Sequence, residues 1–175
     1  RAWARRPIDG LVNNAGIIRR ADAIDLTEAD WDDVLTTNLR TAFFLSQAFG
    51  RHALAAGRTG KIVNIASLLS YQGGVRVASY AASKHGVVGV TQALCNEWAA
   101  RGINVNAIAP GYIETGNTTA LRADRERSAA ILSRIPAGRW GTASDLGETA
   151  VFLLSRASDY IHGAVIPVDG GWLAR

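Results

Sequence analysis

Short apolar segments alternate along this chain with longer stretches in which apolar residues recur at helical spacing. Residues 8–12 read as a strand that runs into the turn sequence Asn13, Asn14, Ala15, Gly16. Thr27, with Asp30 three positions on, has the form of a helix N-terminal box. Trp31, Val34, Leu35, Leu39, Phe43 and Ser46 then hold one helical face to about residue 56. Gly57 and Gly60 break that run. Residues 61–66 form a second strand, rich in branched side chains, and a loop with Gly73 and Gly74 follows. A helix is predicted over 78–100, with Val87, Val90, Leu94 and Trp98 facing inward and Gly102 able to end it at positive φ. A third strand, 103–109, stops at Pro110 and Gly111. Residues 112–139 are less regular and carry one helix near 125–133. Ser144 reads as the cap of a helix to about residue 155. The last strand, 165–168, precedes Asp169, Gly170 and Gly171.

Strands alternating with helices imply βαβ units and a parallel sheet, with right-handed crossovers that put helices on both faces. The expected fold is α/β, a partial Rossmann-like doubly wound parallel sheet in one domain spanning 1–175. Four strands are found where a full dinucleotide-binding sheet has six. No Gly-rich turn of the G-x-G-x-x-G kind follows the first strand. The first βαβ half is therefore expected to be missing, and the chain reads as the C-terminal part of a longer one. A start at Arg1 and the absence of methionine point the same way.

Composition narrows the classes. Hydrophobic residues make up 48% and charged residues 19% of the 175, which excludes a disordered or fibrous chain. No apolar run reaches the roughly 20 residues of a membrane helix, and no signal peptide is visible. Cys95 stands alone, so neither an internal disulfide nor a cysteine-built zinc site is expected, and a cytoplasmic setting fits. The formal charge is +4, from 17 arginines and 2 lysines against 15 acids. The arginines are scattered, with pairs only at Arg5-Arg6 and Arg19-Arg20, so no nucleic-acid stripe forms. His52, His85 and His162 have no metal-ligand spacing, and no metal is expected.

In open α/β sheets ligands collect beyond the carboxyl ends of the strands. Three such ends carry unusual chemistry here: Asn13 to Gly16, Ser67, and Pro110-Gly111. Tyr80 and Lys84 follow Ser67 at i, i+4 spacing, which puts both on one helix face. A tyrosine has an ordinary pKa near 10, and using it as a base near neutrality costs about 3–4 kcal/mol of stabilisation of its phenolate. A neighbouring ammonium supplies that. Ser70 is the rival to Ser67, and the strand end favours Ser67.

Taken together, Asn13-Asn14-Ala15-Gly16, Asn38, Ser67, Tyr80-x-x-x-Lys84, Pro110-Gly111 with Thr115, and the closing Val168-Asp169-Gly170-Gly171 resemble the short-chain dehydrogenase/reductase family over nearly the whole chain. The resemblance implies hydride transfer with a nicotinamide cofactor. It implies Tyr80 as acid/base, Lys84 as its activator and as the holder of the ribose hydroxyls, and Ser67 as hydrogen-bond partner of the substrate oxygen. Asn38 would hold a water linking Lys84 to solvent. Asn13, Ala15 and Gly16 would pack their backbone beside the adenosine half of the cofactor, and Pro110, Gly111, Ile113 and Thr115 would meet its carboxamide end, Ile113 by its backbone.

The stretches around Arg19-Arg20, residues 134–141 and the C-terminal Trp172 resemble the sugar-acid dehydrogenases of that family, which act on deoxy-gluconate-type acids. That implies NAD as cofactor, with NADP not excluded, and a sugar acid as substrate. Arg19, Arg20 and Arg76 are then the candidates for its carboxylate. A 3-oxoacyl carrier-protein reductase or a sugar-alcohol dehydrogenase is the alternative. The family also implies a homotetramer for the full-length protein, with the long helices packing on a twofold mate. Trp172 would pack on a neighbour or within its own chain. A reading of another class is an inactive fragment or assembly module, which would not bind NAD.

Overall fold

The computed structural model describes residue 3 and residues 6–175, so Arg5 of the Arg5-Arg6 pair lies outside the described residues. Four strands, β1 (Gly10–Asn13), β2 (Gly60–Ile65), β3 (Ile103–Pro110) and β4 (Val165–Val168), lie side by side in that order among the described residues. All three pairings are parallel, and Ile62 pairs with Leu11 on one side and Val105 on the other. Parallel strands put all their carboxyl ends at one edge, which is where the polar turn residues were expected.

Period-two alternation divides the sheet's residues between two helix layers. Ile62, Ile103 and Val105 pack with Phe49 and Ala53 of α2 (Thr41–Ala55) and with Leu94 and Trp98 of α3 (Ala78–Trp98). Val63 and Ile108 point the other way and pack with Leu153 of α6 (Ala143–Leu154). Each such fully buried branched side chain contributes about 1.5–3 kcal/mol, so the two central strands anchor the fold. Asn64 and Asn106 are the polar interruptions. Asn64 donates to Thr91 Oγ1 at 2.9 Å, and Asn106 donates to the Ile161 carbonyl at 2.8 Å, so neither amide is left without a partner.

The strands progress across the sheet in one direction. Crossovers of a single hand would therefore leave every helix on one face. α6 lies opposite α2 and α3, so the β3–β4 connection has the opposite hand to the two before it. The expectation of uniformly right-handed crossovers fails at this last step. Residues 111–142 carry the chain round to the far face, and they hold two short helices, α4 (Thr119–Ala123) and α5 (Arg125–Leu132), where one was expected.

The long helix expected from residue 27 to 56 is one path in three parts. α1 (Glu28–Leu35) is capped by Thr27, whose side chain accepts from the Asp30 N–H at 3.1 Å. A π turn, Thr36–Arg40, then leads into α2. Thr41 closes the wide turn, its N–H and its hydroxyl both donating to the Thr36 carbonyl. Such bulges shift the helical phase by one residue. Here the shift buries Asn38, while Trp31, expected inside, is 40% exposed. The start of α6 also differs from expectation: Thr142, not Ser144, is the cap. Its N–H and hydroxyl donate to the Asp145 carboxylate, and Arg139 grips the same group with two bonds of 2.8 Å. Arg139 first, then Thr142, holds that carboxyl well below the usual carboxylate range.

Candidate active site

At the carboxyl edge β2 runs into Ser67, whose backbone is extended and whose hydroxyl accepts from the Leu69 N–H at 3.2 Å. Ser67 lines a cavity of about 410 Å³. Ser70 does not: it is buried and its hydroxyl donates to the Lys84 carbonyl at 2.8 Å, bracing α3. Geometry thus separates the two serines that the sequence set against each other.

Tyr80 and Lys84 share one face of α3, with the Lys84 nitrogen 5.5 Å from the Tyr80 ring centre. Lys84 is only 4% exposed, and its ammonium donates to the Ile65 carbonyl at 2.6 Å. Burial pushes its pKa down to about 8. An ammonium has three hydrogens, and this bond uses one. Burial pushes the Tyr80 phenol up from its ordinary value near 10; the Ser67 hydroxyl and the Arg20 charge act in the opposite direction. The sequence reading gave that lowering role to Lys84. In this structure Lys84 lies over the ring and its ammonium is turned to the Ile65 carbonyl.

Asn38 clamps the loop after β1. Its carbonyl oxygen accepts from the Ile17 N–H at 2.8 Å, and its amide donates to the Ile17 carbonyl at 2.9 Å and to Ser83 Oγ at 3.1 Å. The amide is committed to protein groups, which makes Asn38 first a brace for Gly16 and Ile17. A Cβ built on Gly16 would lie 3.7 Å from the Lys84 nitrogen and 3.5 Å from Asn38 Oδ1. The missing side chain at this position leaves a cradle directly over the ammonium. Ala15 is exposed beside it. Asn13 turns its side chain inward, donating to Ser46 Oγ and Asn64 Oδ1 at 2.9 and 2.8 Å, so only its backbone faces the edge.

Beyond β3, Pro110 and Gly111 line the cavity. Ile113 forms a bridge with Gly141 in which the Glu114 N–H and the Tyr112 carbonyl do the bonding. The N–H of Ile113 takes no part in that bridge. Thr115 opens a short turn, its N–H donating to Thr118 Oγ1 at 3.1 Å, and its side chain is exposed. A Cβ on Gly111 would sit 2.6 Å from the Asp169 Cα. Gly111→Ala should therefore push the exits of β3 and β4 apart and cost about 1–3 kcal/mol. Thermal unfolding checks this as a midpoint several degrees lower; an unchanged midpoint means the exits separate freely.

The three candidate arginines part company. Arg19 is paired with Asp30 and Asp33 at 3.4 Å each, away from the cavity. Arg76 is paired with Asp22 at 3.2 Å and lines only the adjoining hollow. Arg20 faces the cavity. Sequence reasoning missed Arg127 of α5 and Arg134, which also line it. Nothing in local spacing joins residue 127 to residue 80. Trp172 is buried within its own chain, 4.7 Å from the Tyr112 ring, under the Arg134 guanidinium at 4.0 Å, with its N–H on Gln72 at 3.3 Å. The packing on a neighbour considered for it is thus not what it does.

A parallel sheet whose strand ends gather Ser67, Tyr80 and Lys84 agrees with the comparison with known families. The family model described as enoyl-(acyl carrier protein) reductase matches residues 2–173, and the chain belongs to the short-chain dehydrogenase/reductase family. It is 64% identical over 168 residues to the 2-dehydro-3-deoxy-D-gluconate 5-dehydrogenase of Escherichia coli, covering 96% of this chain and 66% of that protein. The enzyme of the same name from Bacillus subtilis is 61% identical, with 99% and 68% covered. A crystal structure from Agrobacterium tumefaciens, assigned as a 2-deoxy-D-gluconate 3-dehydrogenase with bound NADP, superposes with TM-score 0.94 at 67% identity, over 95% of this chain and 68% of that one. The chain thus spans about two thirds of the length of the relatives it matches. Among the described residues no helix is long and apolar enough to cross a membrane.

Proposed function

We propose that the chain carries the catalytic part of an NAD(P)-dependent oxidoreductase that interconverts a secondary alcohol and a ketone on a sugar acid of the deoxy-gluconate type. Ser67 and Tyr80 line the cavity, with Lys84 buried against the Tyr80 ring one helical turn on; that arrangement carries this reading, and the names of the relatives support the substrate class. Gly16, Lys84 and the unused N–H of Ile113 fit a nicotinamide nucleoside: an open cradle, an ammonium with two hydrogens to give to ribose hydroxyls, and a backbone donor for the carboxamide. When bound, that cofactor takes or gives the hydride. In oxidation the proton of the carbinol oxygen passes to the Tyr80 phenolate; in reduction the Tyr80 phenol returns it. The Ser67 hydroxyl donates to the same substrate oxygen and holds it against Tyr80. Among the described residues Lys84 is the one buried ammonium at this edge, and it would hold the ribose hydroxyls of the cofactor beside the Tyr80 ring.

We further infer a homotetramer in the cytoplasm for the full-length protein. Phe44 and Leu45 on α2, and Val151 and Phe152 on α6, are 39–63% exposed, which gives two apolar helix faces for twofold mates. The test is a panel of sugar acids and acyl thioesters assayed with NAD and NADP. Turnover of a 2-deoxy or 2-dehydro-3-deoxy aldonic acid above all thioesters is expected. Turnover of thioesters alone would replace this reading with the acyl-carrier alternative, and no cofactor binding in a fluorescence titration would favour the assembly module.

A further inference from the structure

Among the described residues the charged ones lining the 410 Å³ cavity are Arg20, Arg127 and Arg134, and no carboxylate lines it. Arg19 pairs with Asp30 and Asp33, Arg76 with Asp22, Arg122 with Glu114 and Arg139 with Asp145, whereas Arg125 and Arg175 nearby have no acidic partner among the described residues. Among the described residues Arg20, Arg127 and Arg134 have none. All three are solvent-exposed, and charges of one sign around a cleft raise its potential for an anion. The three cations are not equivalent. Arg134 lies 4.0 Å from the Trp172 ring centre, stacked on an aromatic face, and so serves the wall. Arg20 and Arg127 line both this cavity and the adjoining hollow of about 200 Å³, so they flank the junction of the two. Asp124, which lines the hollow, is occupied as the cap of α5, its carboxylate accepting from the Arg127 N–H at 3.0 Å.

We propose that Arg20 and Arg127 together form the carboxylate-binding end of the substrate cavity and set its preference for acids over neutral polyols. The proposal rests on reading the cavity as the substrate site of a dehydrogenase. It moves the role once open to Arg19 and Arg76 onto a residue of α5. Two guanidinium groups from separate elements, the loop after β1 and α5, can grip a carboxylate from two sides. A neutral hydroxymethyl group offers neither charge nor paired acceptors. Selectivity then comes from the length of the ligand between Tyr80 and this clamp as well as from its charge.

The test titrates gluconate and its neutral counterpart glucitol against tryptophan fluorescence, with Trp172 in the cavity wall as reporter, and in parallel measures KM for the sugar acid that turns over best. Wild type should bind gluconate at least tenfold more tightly than glucitol. Arg127→Gln and Arg20→Gln should each weaken gluconate at least tenfold and leave glucitol within twofold, with KM for the acid rising in proportion. Arg19→Gln should change neither ligand. Equal affinity for the two ligands in wild type, or equal losses for both in the variants, overturns the proposal. If gluconate binding depends on Arg127 while no sugar acid turns over, the dehydrogenase assignment fails and the anion site stands. If a sugar acid turns over and Arg127→Gln is silent, the anion site alone fails.

Discussion

Replacing Tyr80 with phenylalanine should lower kcat on a sugar acid by about 10²–10⁴-fold, the usual worth of a positioned acid/base. Phenylalanine keeps the ring against Lys84 and removes only the phenol oxygen. One hydroxyl is worth no more than about 1 kcal/mol of hydrogen bonding, so folding should survive. Cofactor affinity should stay within threefold, because Gly16, Lys84 and Ile113 are untouched. Steady-state kinetics beside a nicotinamide fluorescence titration separates the two effects. Normal turnover in Tyr80→Phe would remove the mechanism outright. Arg20 lies close enough to lower the phenol, so Arg20→Gln should in addition move the alkaline-side profile of kcat upward in pH.

Lys84→Met is expected to divide stability from activity. The unfolded chain holds a lysine proton to about pH 10.4, and burial brings the folded value down to about 8. Between those values the unfolded chain binds more protons, so this residue's contribution to stability rises with pH from 8 to 10. Below pH 8 the burial cost is present in full, about 3 kcal/mol at 1.36 kcal/mol per pH unit. Methionine removes that cost but leaves the Ile65 carbonyl without its donor, at about 1–3 kcal/mol. The two nearly cancel. The unfolding midpoint at pH 7 should therefore stay within about 5 °C of wild type, while kcat/KM falls by about 10²-fold or more. The rise in stability from pH 8 to 10 should vanish in the variant. Tyr80, raised by burial, acts with the opposite sign and only above pH 10, where the unfolded chain ionises first. Thermal melts of both proteins at pH 7, 8, 9 and 10 decide the matter; parallel curves would mean the Lys84 ammonium is not buried as seen.

What the sequence made legible was local. Tyr80 and Lys84 are one helical turn apart, so spacing alone puts them together. The strands 61–66, 103–109 and 165–168 stand out by branched residues between turn signals, and each lies within a residue or two of β2, β3 and β4. Phase shifts and long-range encounters were hidden. A period scan runs through the π turn at Thr36–Arg40 because one extra residue barely changes the apolar pattern, yet that residue decides which way Asn38 points. The hand of the β3–β4 connection depends on which face Leu153 seeks, and a sheet buried on both faces gives no signal of that. Arg127 reaches the cavity only because α5 folds back across the strand ends. That the Lys84 ammonium turns to the Ile65 carbonyl, a partner 19 residues away, had no local signal either.

The wall that holds Trp172 has a kinetic corollary. Its members, Gln72, Tyr112, Arg134 and Trp172, come from four separated stretches, the last of them after the final strand. On the ribosome, Ser67, Tyr80 and Lys84 emerge long before Trp172 does, so the reacting groups are made first and the enclosure last. A ligand that fills the finished chamber should therefore slow hydrogen exchange most strongly at the C-terminal turn.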